Sequence, residues 1–126
     1  MKQAIVIVMA MILTIGFVYA QSEPQGEEYK QWMQDVRQSI RGFNSAYTNM
    51  NMGNANEAVN ILADIFGKME AHWAAKEVED ATDWSRQSKE LMVEAQNKMK
   101  LNDIAYALNL LQLAQKNCSN CHEKYR

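Results

Sequence analysis

The chain contains few of the residues that form turns: proline occurs once, at Pro24, and glycine five times among 126 residues. A β-sandwich or barrel shows turn signals about every 8–12 residues, and this chain does not contain them. Apolar side chains instead recur at steps of three and four, which is the period of a helix buried along one face. The sequence therefore predicts an all-α protein.

Four apolar stripes follow one another along the chain. The predicted helices run over residues 26–50, 54–78, 80–100 and from 103 to the end. Asn54 and Glu57 have the spacing of a capping box at the start of the second helix, and Asn102 or Asp103 is expected to cap the fourth. The inner faces are predicted to carry Tyr29, Trp32, Met33, Val36, Ile40, Phe43, Tyr47, Met50, Ala58, Leu62, Ile65, Met69, Trp73, Trp84, Leu91, Ala95, Met99, Ile104, Ala107, Leu108, Leu111, Ala114 and Cys118. Because short connections make neighbouring helices antiparallel, we expect an up-down-up-down four-helix bundle.

Two glycines, Gly42 and Gly67, fall inside the predicted helices. Each costs about 1 kcal/mol against alanine in a helix interior. Close approach of two helices, room for a bulky ligand, or chance would explain them.

The first 20 residues have the pattern of a secretory signal peptide. Lys2 supplies a positive charge, residues 4–18 are almost wholly apolar, and Ala20 ends the segment with a small residue. The alternative is an uncleaved membrane anchor, but an apolar run of about 15 residues is short for a bilayer span. We therefore expect cleavage after Ala20 and export to a bacterial periplasm, with residues 21–126 as one mature domain and no membrane attachment after cleavage.

The charge balance and the cysteine count exclude two other classes of protein. The formal net charge is −2, and loss of Lys2 with the leader makes it about −3, whereas a nucleic-acid-binding protein should show a basic patch. Two cysteines three residues apart cannot supply a disulfide framework.

Cys118-Ser119-Asn120-Cys121-His122 has the C-x-x-C-H pattern of covalent haem c attachment. Two thiols on one helical turn can reach the two vinyl groups of one porphyrin, and the adjacent His122 then offers its imidazole to the iron. A thioredoxin-like redox pair should begin a helix after a strand. A zinc site needs four ligands, and only His72 could join the three residues of the motif. Haem is the favoured interpretation.

At these residues the chain resembles the class II cytochromes c, the cytochrome c-prime group. Its ending, from Cys118 to Arg126, is similar to that group's C-x-x-C-H-x-x-[FY]-R ending, and residues 29–33 are similar to its first-helix segment, with Lys30 where Arg is usual. The likeness covers residues 26–126, with only the C-terminal motif highly specific. It implies a bundle with the haem at the C-terminal end of the last helix.

Bundle topology predicts which other residues lie near the haem. The start of helix one, the end of helix two and the start of helix three should lie beside the end of helix four. The residues expected at that level are Trp32, Met33, Val36, Arg37, Phe66, Met69, His72, Trp73 and Trp84. Met33, Met69 and His72 are the candidates for a second axial ligand, and the resemblance favours Met33. Lys30, Arg37, Lys124 and Arg126 could pair with haem propionates, and the resemblance favours Arg126.

These expectations lead to an electron carrier and not an enzyme. His122 and Met33 together would leave no open coordination site on the iron, so that only an electron could be exchanged. Transient partners would be other redox proteins, and the resemblance allows a homodimer through the first two helices. If Met33 does not reach the iron, a five-coordinate protein that binds nitric oxide or carbon monoxide is the alternative. A haemless helical binding domain is the third interpretation.

Overall fold

A computed structural model describes residues 26–125, so that the predicted leader and Arg126 lie outside the described residues. Four helices make up this range: α1 Glu27–Thr48, α2 Met52–Ala75, α3 Glu79–Lys100 and α4 Ile104–Tyr125. No strand occurs in it, and the helices pack against one another, which confirms the predicted all-α four-helix bundle. None of the four combines the length and the apolar character that a membrane span requires.

The chain divides into two units between Lys30 and Gln31. Of the first unit only residues 26–30 are described. They contain the first turn of α1, in which Lys30 and Glu27 form an exposed ion pair of 2.8 Å between Nζ and Oε1. The following description concerns the second unit, residues 31–125.

Helix α2 begins earlier than the sequence pattern predicts. Its N-cap is Asn51, whose Oδ1 accepts a hydrogen bond of 3.1 Å from the backbone N–H of Asn54. The predicted capping box with Asn54 as the cap is therefore wrong, because an asparagine three residues earlier already takes that role. Met50 adopts a left-handed φ of 52° in the connection and is 67% exposed, so its predicted inward position is also wrong.

The other two connections also use left-handed residues. Glu77 has a φ of 58° and follows the end of α2 at Ala75, three residues before the predicted end at Val78. Asn102 has a φ of 56°, a conformation that asparagine tolerates well. Asp103, and not Asn102, caps α4: its Oδ1 accepts a hydrogen bond of 3.0 Å from the backbone N–H of Tyr106.

The core follows the predicted stripe on α2, and on α4 except at Leu108 and Cys118, and it departs from the predicted stripes on α1 and α3. On α1 the side chains of Ser39 and Ala46 are buried, whereas five residues predicted to face inward are only half-buried: Tyr29, Trp32, Met33, Ile40 and Tyr47. The buried apolar residues are Val36, Phe43, Ala46, Ala55, Ala58, Val59, Leu62, Ile65, Phe66, Met69, Trp73, Ala81, Met92, Ala95, Met99, Ile104, Ala107, Leu110, Leu111 and Ala114. Trp84 and Leu91, predicted to face inward, are only half-buried. The small side chains of Thr82, Ser85 and Ser88 are buried in their place.

Polar contacts fix α2 against α3. The carboxylate of Glu70 accepts hydrogen bonds from Arg86 Nε at 3.0 Å and from Lys89 Nζ, and the hydrogen bond from Lys89 holds the pKa of Glu70 below its usual value. Toward the other end of α2, Asn60 accepts a hydrogen bond of 2.9 Å from Gln96. Later residues of α2 therefore meet earlier residues of α3.

Candidate functional site

The C-x-x-C-H motif lies in the last two turns of α4. Cys118 and Cys121 are half-buried and free of any disulfide, and His122 is exposed. Spacings of three and four residues place Cys121 and His122 on the same side of the helix as Cys118. Two thiols and one imidazole thus share one side of α4, and all three retain access from outside the bundle.

The surroundings of the two thiols raise their pKa values. Burial raises the pKa of Cys118 to about 11, with a smaller contribution from the neighbouring Cys121. Burial and then the carboxylate of Asp80 raise the pKa of Cys121. A redox-active pair needs a lowered pKa and commonly lies at a helix N-terminus. Since this pair has raised pKa values and lies at the end of a helix, the structure argues against the thioredoxin-like alternative.

The zinc alternative receives no support from residues 26–125. In that range no three side chains of His, Cys, Asp or Glu lie close enough together to hold a metal ion. His72, the proposed fourth zinc ligand, instead makes contacts with aromatic rings of α1 and α2.

Asp80 connects the start of α3 to the end of α4. Its Oδ1 accepts a hydrogen bond of 2.6 Å from the hydroxyl of Tyr125, and its Oδ2 lies 2.5 Å from Nζ of Lys124. The hydrogen bonds from Lys124 and then Tyr125 lower the pKa of Asp80. Asp80 itself is half-buried. Lys124 pairs with this carboxylate.

Aromatic rings from three helices meet at the same end of the bundle. The ring of His72 makes edge contacts with Trp32 at 6.0 Å and with Trp73 at 5.3 Å between centroids. The Trp73 ring lies 5.3 Å from that of Tyr125, tilted by 37°. We call Trp32, His72, Trp73 and Tyr125 the aromatic cluster. The start of α1 therefore contacts the end of α2, and the end of α2 contacts the end of α4.

Small side chains of α3 lie beside the helix that carries the motif. Ser88 is almost fully buried and accepts a hydrogen bond of 3.3 Å from Asn117, the residue before Cys118. Thr82 donates its hydroxyl hydrogen to the carbonyl group of Val78, the N-cap of α3, and Ser85 donates to that of Ala81. The apolar pattern does not reveal this face, because small polar residues do not register as an apolar stripe, although their own spacing of three residues is helical.

The remaining predicted site residues have different surroundings. Met33 follows Trp32 and is half-buried, whereas Met69 is buried in α2 one turn before Trp73. Arg37 is exposed, and Arg126 lies outside the described residues. Ligation of iron by Met33 stays a prediction, as do the roles of Arg37 and Arg126.

The donor set fits covalent attachment of a haem. The two thiols are free, as thioether formation requires, and the adjacent imidazole is accessible. The aromatic cluster supplies an apolar wall nearby. No family model, no curated protein and no solved structure matches this chain.

Proposed function

We propose that the protein is an exported c-type cytochrome that carries single electrons between redox proteins. The observation that carries the proposal is the C-x-x-C-H motif in the last two turns of a bundle helix, with both thiols free and of raised pKa. A thiol held protonated is poorly suited to disulfide exchange, and both thiols are free to form thioethers.

Each motif residue has one role in this proposal. Cys118 and Cys121 would hold the haem through thioethers, each formed by addition of one S–H group across one vinyl group with no atom lost. His122 would offer its imidazole nitrogen to the iron, and Met33 would offer its sulfur. The bound haem would supply one reversible electron, and a thioether ligand such as Met33 favours its reduced form.

The proposed antiparallel arrangement, with the haem at the end of the last helix, is supported by polar contacts between α3 and α4. Asp80 at the start of α3 contacts Tyr125 at the end of α4, and Ser88, two turns later, contacts Asn117, two turns earlier. Later residues of α3 thus contact earlier residues of α4, as expected for antiparallel helices. The contacts of α2 with α3 follow the same order, since Glu70 contacts Arg86 and Asn60 contacts Gln96.

The residues around the motif would control water and charge. Rings of Trp32, Trp73 and Tyr125 would exclude water from one side of the group, and a lower local dielectric tunes its potential. Asp80 keeps its own cation in Lys124, which leaves Arg37 and Arg126 as the proposed partners of the propionates.

The second candidate function applies if Met33 does not reach the iron, which would then be five-coordinate. Such a protein would bind carbon monoxide or nitric oxide in place of carrying electrons between partners.

The test is to produce the full chain in a bacterial host that attaches haem in its periplasm. We expect a red protein whose mass exceeds that of the mature polypeptide by about 616 Da and whose colour survives acid-acetone extraction. Its reduced spectrum should not change under carbon monoxide, and an immediate change would select the five-coordinate candidate. A variant with Cys118→Ser and Cys121→Ser is the matched control and should lose the covalent mass. A colourless wild-type protein at the bare polypeptide mass would refute both candidates.

A further inference from the structure

An open cleft of about 630 Å³ lies between α1 and α2, within the second unit. Its α1 wall runs from Asp35 to Ala46, an advance of about 16 Å along the helix axis. Its α2 wall includes Glu57, Ala58 and Ile61. A volume of this size is within the range of small-molecule sites. None of the residues assigned above to haem attachment lines it.

Gly42 lies in the α1 wall and shows that the space is not needed for helix packing. A Cβ atom built at Gly42 would meet no atom within 4 Å. The two helices therefore do not require a glycine for close approach at this point. Alanine would fit and would favour the helix. Close approach of two helices therefore does not explain this exposed glycine, and room for a ligand and chance are the explanations that remain.

Ser39, in the same wall, is a buried polar residue that lines the cleft. The residue is 8% exposed. Within residues 26–125 its hydroxyl has no hydrogen-bond partner. Every unpaired side-chain oxygen in this range is at least slightly accessible to solvent. The Ser39 hydroxyl is therefore reached by solvent, and the cleft is the open space that the residue lines. An unpaired hydroxyl in a buried wall is suited to a hydrogen bond with a bound molecule.

The charged residues that line the cleft indicate which class of small molecule would bind there. Two carboxylates, Asp35 and Glu57, belong to the lining, which contains no lysine or arginine among the described residues. Neither carboxylate takes part in an ion pair within that range. Ala46, Ala58 and Ile61 add apolar surface between the polar groups. The two carboxylates disfavour binding of an anion. A cation with an aliphatic chain could pair with the carboxylates and pack against the apolar side chains.

We propose that this cleft binds a linear aliphatic polyamine. Its ammonium groups pair with Asp35 and Glu57, its methylene chain lies along Ala46, Ala58 and Ile61, and one N–H group hydrogen-bonds the hydroxyl of Ser39. The inference is independent of haem, since it uses none of the residues proposed to hold that group.

The test is calorimetric titration of the full mature protein, as it is isolated from its host, with spermidine at low ionic strength. We expect one saturable site that weakens with added salt. Uncharged 1,6-hexanediol, which has a similar aliphatic chain, should not bind, and equal binding of the diol would overturn the proposal. Absence of a saturable site in the wild-type protein would also overturn it.

Four variants locate the site. Asp35→Asn and Glu57→Gln should each weaken spermidine binding about twofold or more, and together about tenfold. Gly42→Leu should abolish binding by filling the cleft. Ser39→Ala removes only the hydroxyl and should weaken binding in a protein whose unfolding midpoint is retained, which keeps the test valid if Gly42→Leu does not fold. Glu94→Gln, at an exposed carboxylate of α3, is the matched control.

Two further outcomes would contradict the proposal. An equal loss of affinity in Glu94→Gln would show that spermidine binds to general surface charge. Sedimentation that gives a wild-type dimer and a Gly42→Leu monomer, with spermidine without effect on either, would show that a second copy of the chain fills the cleft.

Discussion

The hydroxyl of Tyr125 donates a hydrogen bond of 2.6 Å to Oδ1 of Asp80, which joins the last residue of α4 to the second residue of α3. The other oxygen of that carboxylate accepts from Lys124. The turn of α4 that follows the C-x-x-C pair is therefore attached to a neighbouring helix, although helix ends ordinarily fray. Removal of these contacts should affect the end of α4 before the rest of the bundle.

Tyr125→Phe removes the hydroxyl and keeps the ring that contacts Trp73. We expect the free energy of unfolding to fall by about 1 kcal/mol, the usual worth of such a hydrogen bond. Urea unfolding measures the change. Tyr106→Phe is the control, because Tyr106 is exposed and its ring contact with Lys98 survives the substitution. An effect of Tyr125→Phe no larger than that of Tyr106→Phe would show that the bond does not hold in solution.

Acid should weaken the bundle through Asp80 and Glu70. Hydrogen bonds from Lys124 and from Lys89, respectively, lower the pKa of each carboxyl below its ordinary value of 3.8 or 4.5. Each therefore contributes stability that is fully present above its ordinary pKa and is lost as the pH falls through the lowered value. We expect the melting temperature of the wild-type protein to drop below about pH 4.5.

The matching variants locate this acid effect. Glu70→Gln and Asp80→Asn should each be less stable than the wild type at pH 6, and the difference should shrink as the pH falls toward 3. Thermal unfolding followed by circular dichroism across this range measures both. A difference that stays constant with pH would mean that neither carboxylate is responsible.

Met33→Ala tests the proposed second axial ligand in the haem-loaded protein. The reduced protein should then bind carbon monoxide, and the potential should fall by on the order of 100 mV, because a thioether ligand is lost. Visible spectra and a redox titration measure the two effects. Met69→Leu is the control of similar volume. If it opens the iron and Met33→Ala does not, Met69 is the ligand; if neither does, His72 becomes the candidate.

Cys118 should react slowly with alkylating agents in folded protein made without haem. Burial raises its pKa to about 11, so about one thiol in a thousand is ionised at pH 8. We expect iodoacetamide to modify a Cys121→Ser variant on the order of a hundredfold more slowly when folded than in urea. Mass spectrometry over time gives both rates, and similar rates would contradict burial of the thiol.

Gly42→Ala should stabilise the protein by roughly 0.5–1 kcal/mol, because alanine restricts the unfolded chain and the added methyl group meets no atom. The urea midpoint should rise with an unchanged slope. Destabilisation would instead show that α1 and α2 lie closer together in solution.

All four helices follow from periodicity, since residues such as Val36, Leu62 and Leu111 recur at helical spacing and are buried. The inward faces of α1 and α3 follow less well, because small residues such as Ser39 and Ser88 are buried there. The helix starts follow less well. Two asparagines, Asn51 and Asn54, are equally good caps by composition, and only the hydrogen bond between them decides which one begins α2. At the start of α4 the sequence allows Asn102 or Asp103 as the cap. Asn102 adopts a left-handed conformation, and Asp103 is the cap.

The candidate site divides in the same way. The thiols and the imidazole of Cys118, Cys121 and His122 are set by local spacing and could be recognised directly. The contact of Asp80 with Tyr125 spans 45 residues, and no local pattern encodes such a distance. The one feature of the sequence that pointed to this contact was the acidic first turn of α3, which bundle topology places beside the end of α4.

The hydroxyls of Thr82 and Ser85 are satisfied by the carbonyl groups of Val78 and Ala81, one turn earlier in the same chain segment. What these residues present to a neighbour is therefore mostly carbon, although serine and threonine are polar residues. Both are buried, and their burial leaves neither hydroxyl without a partner, so that this side of α3 packs as an apolar surface would.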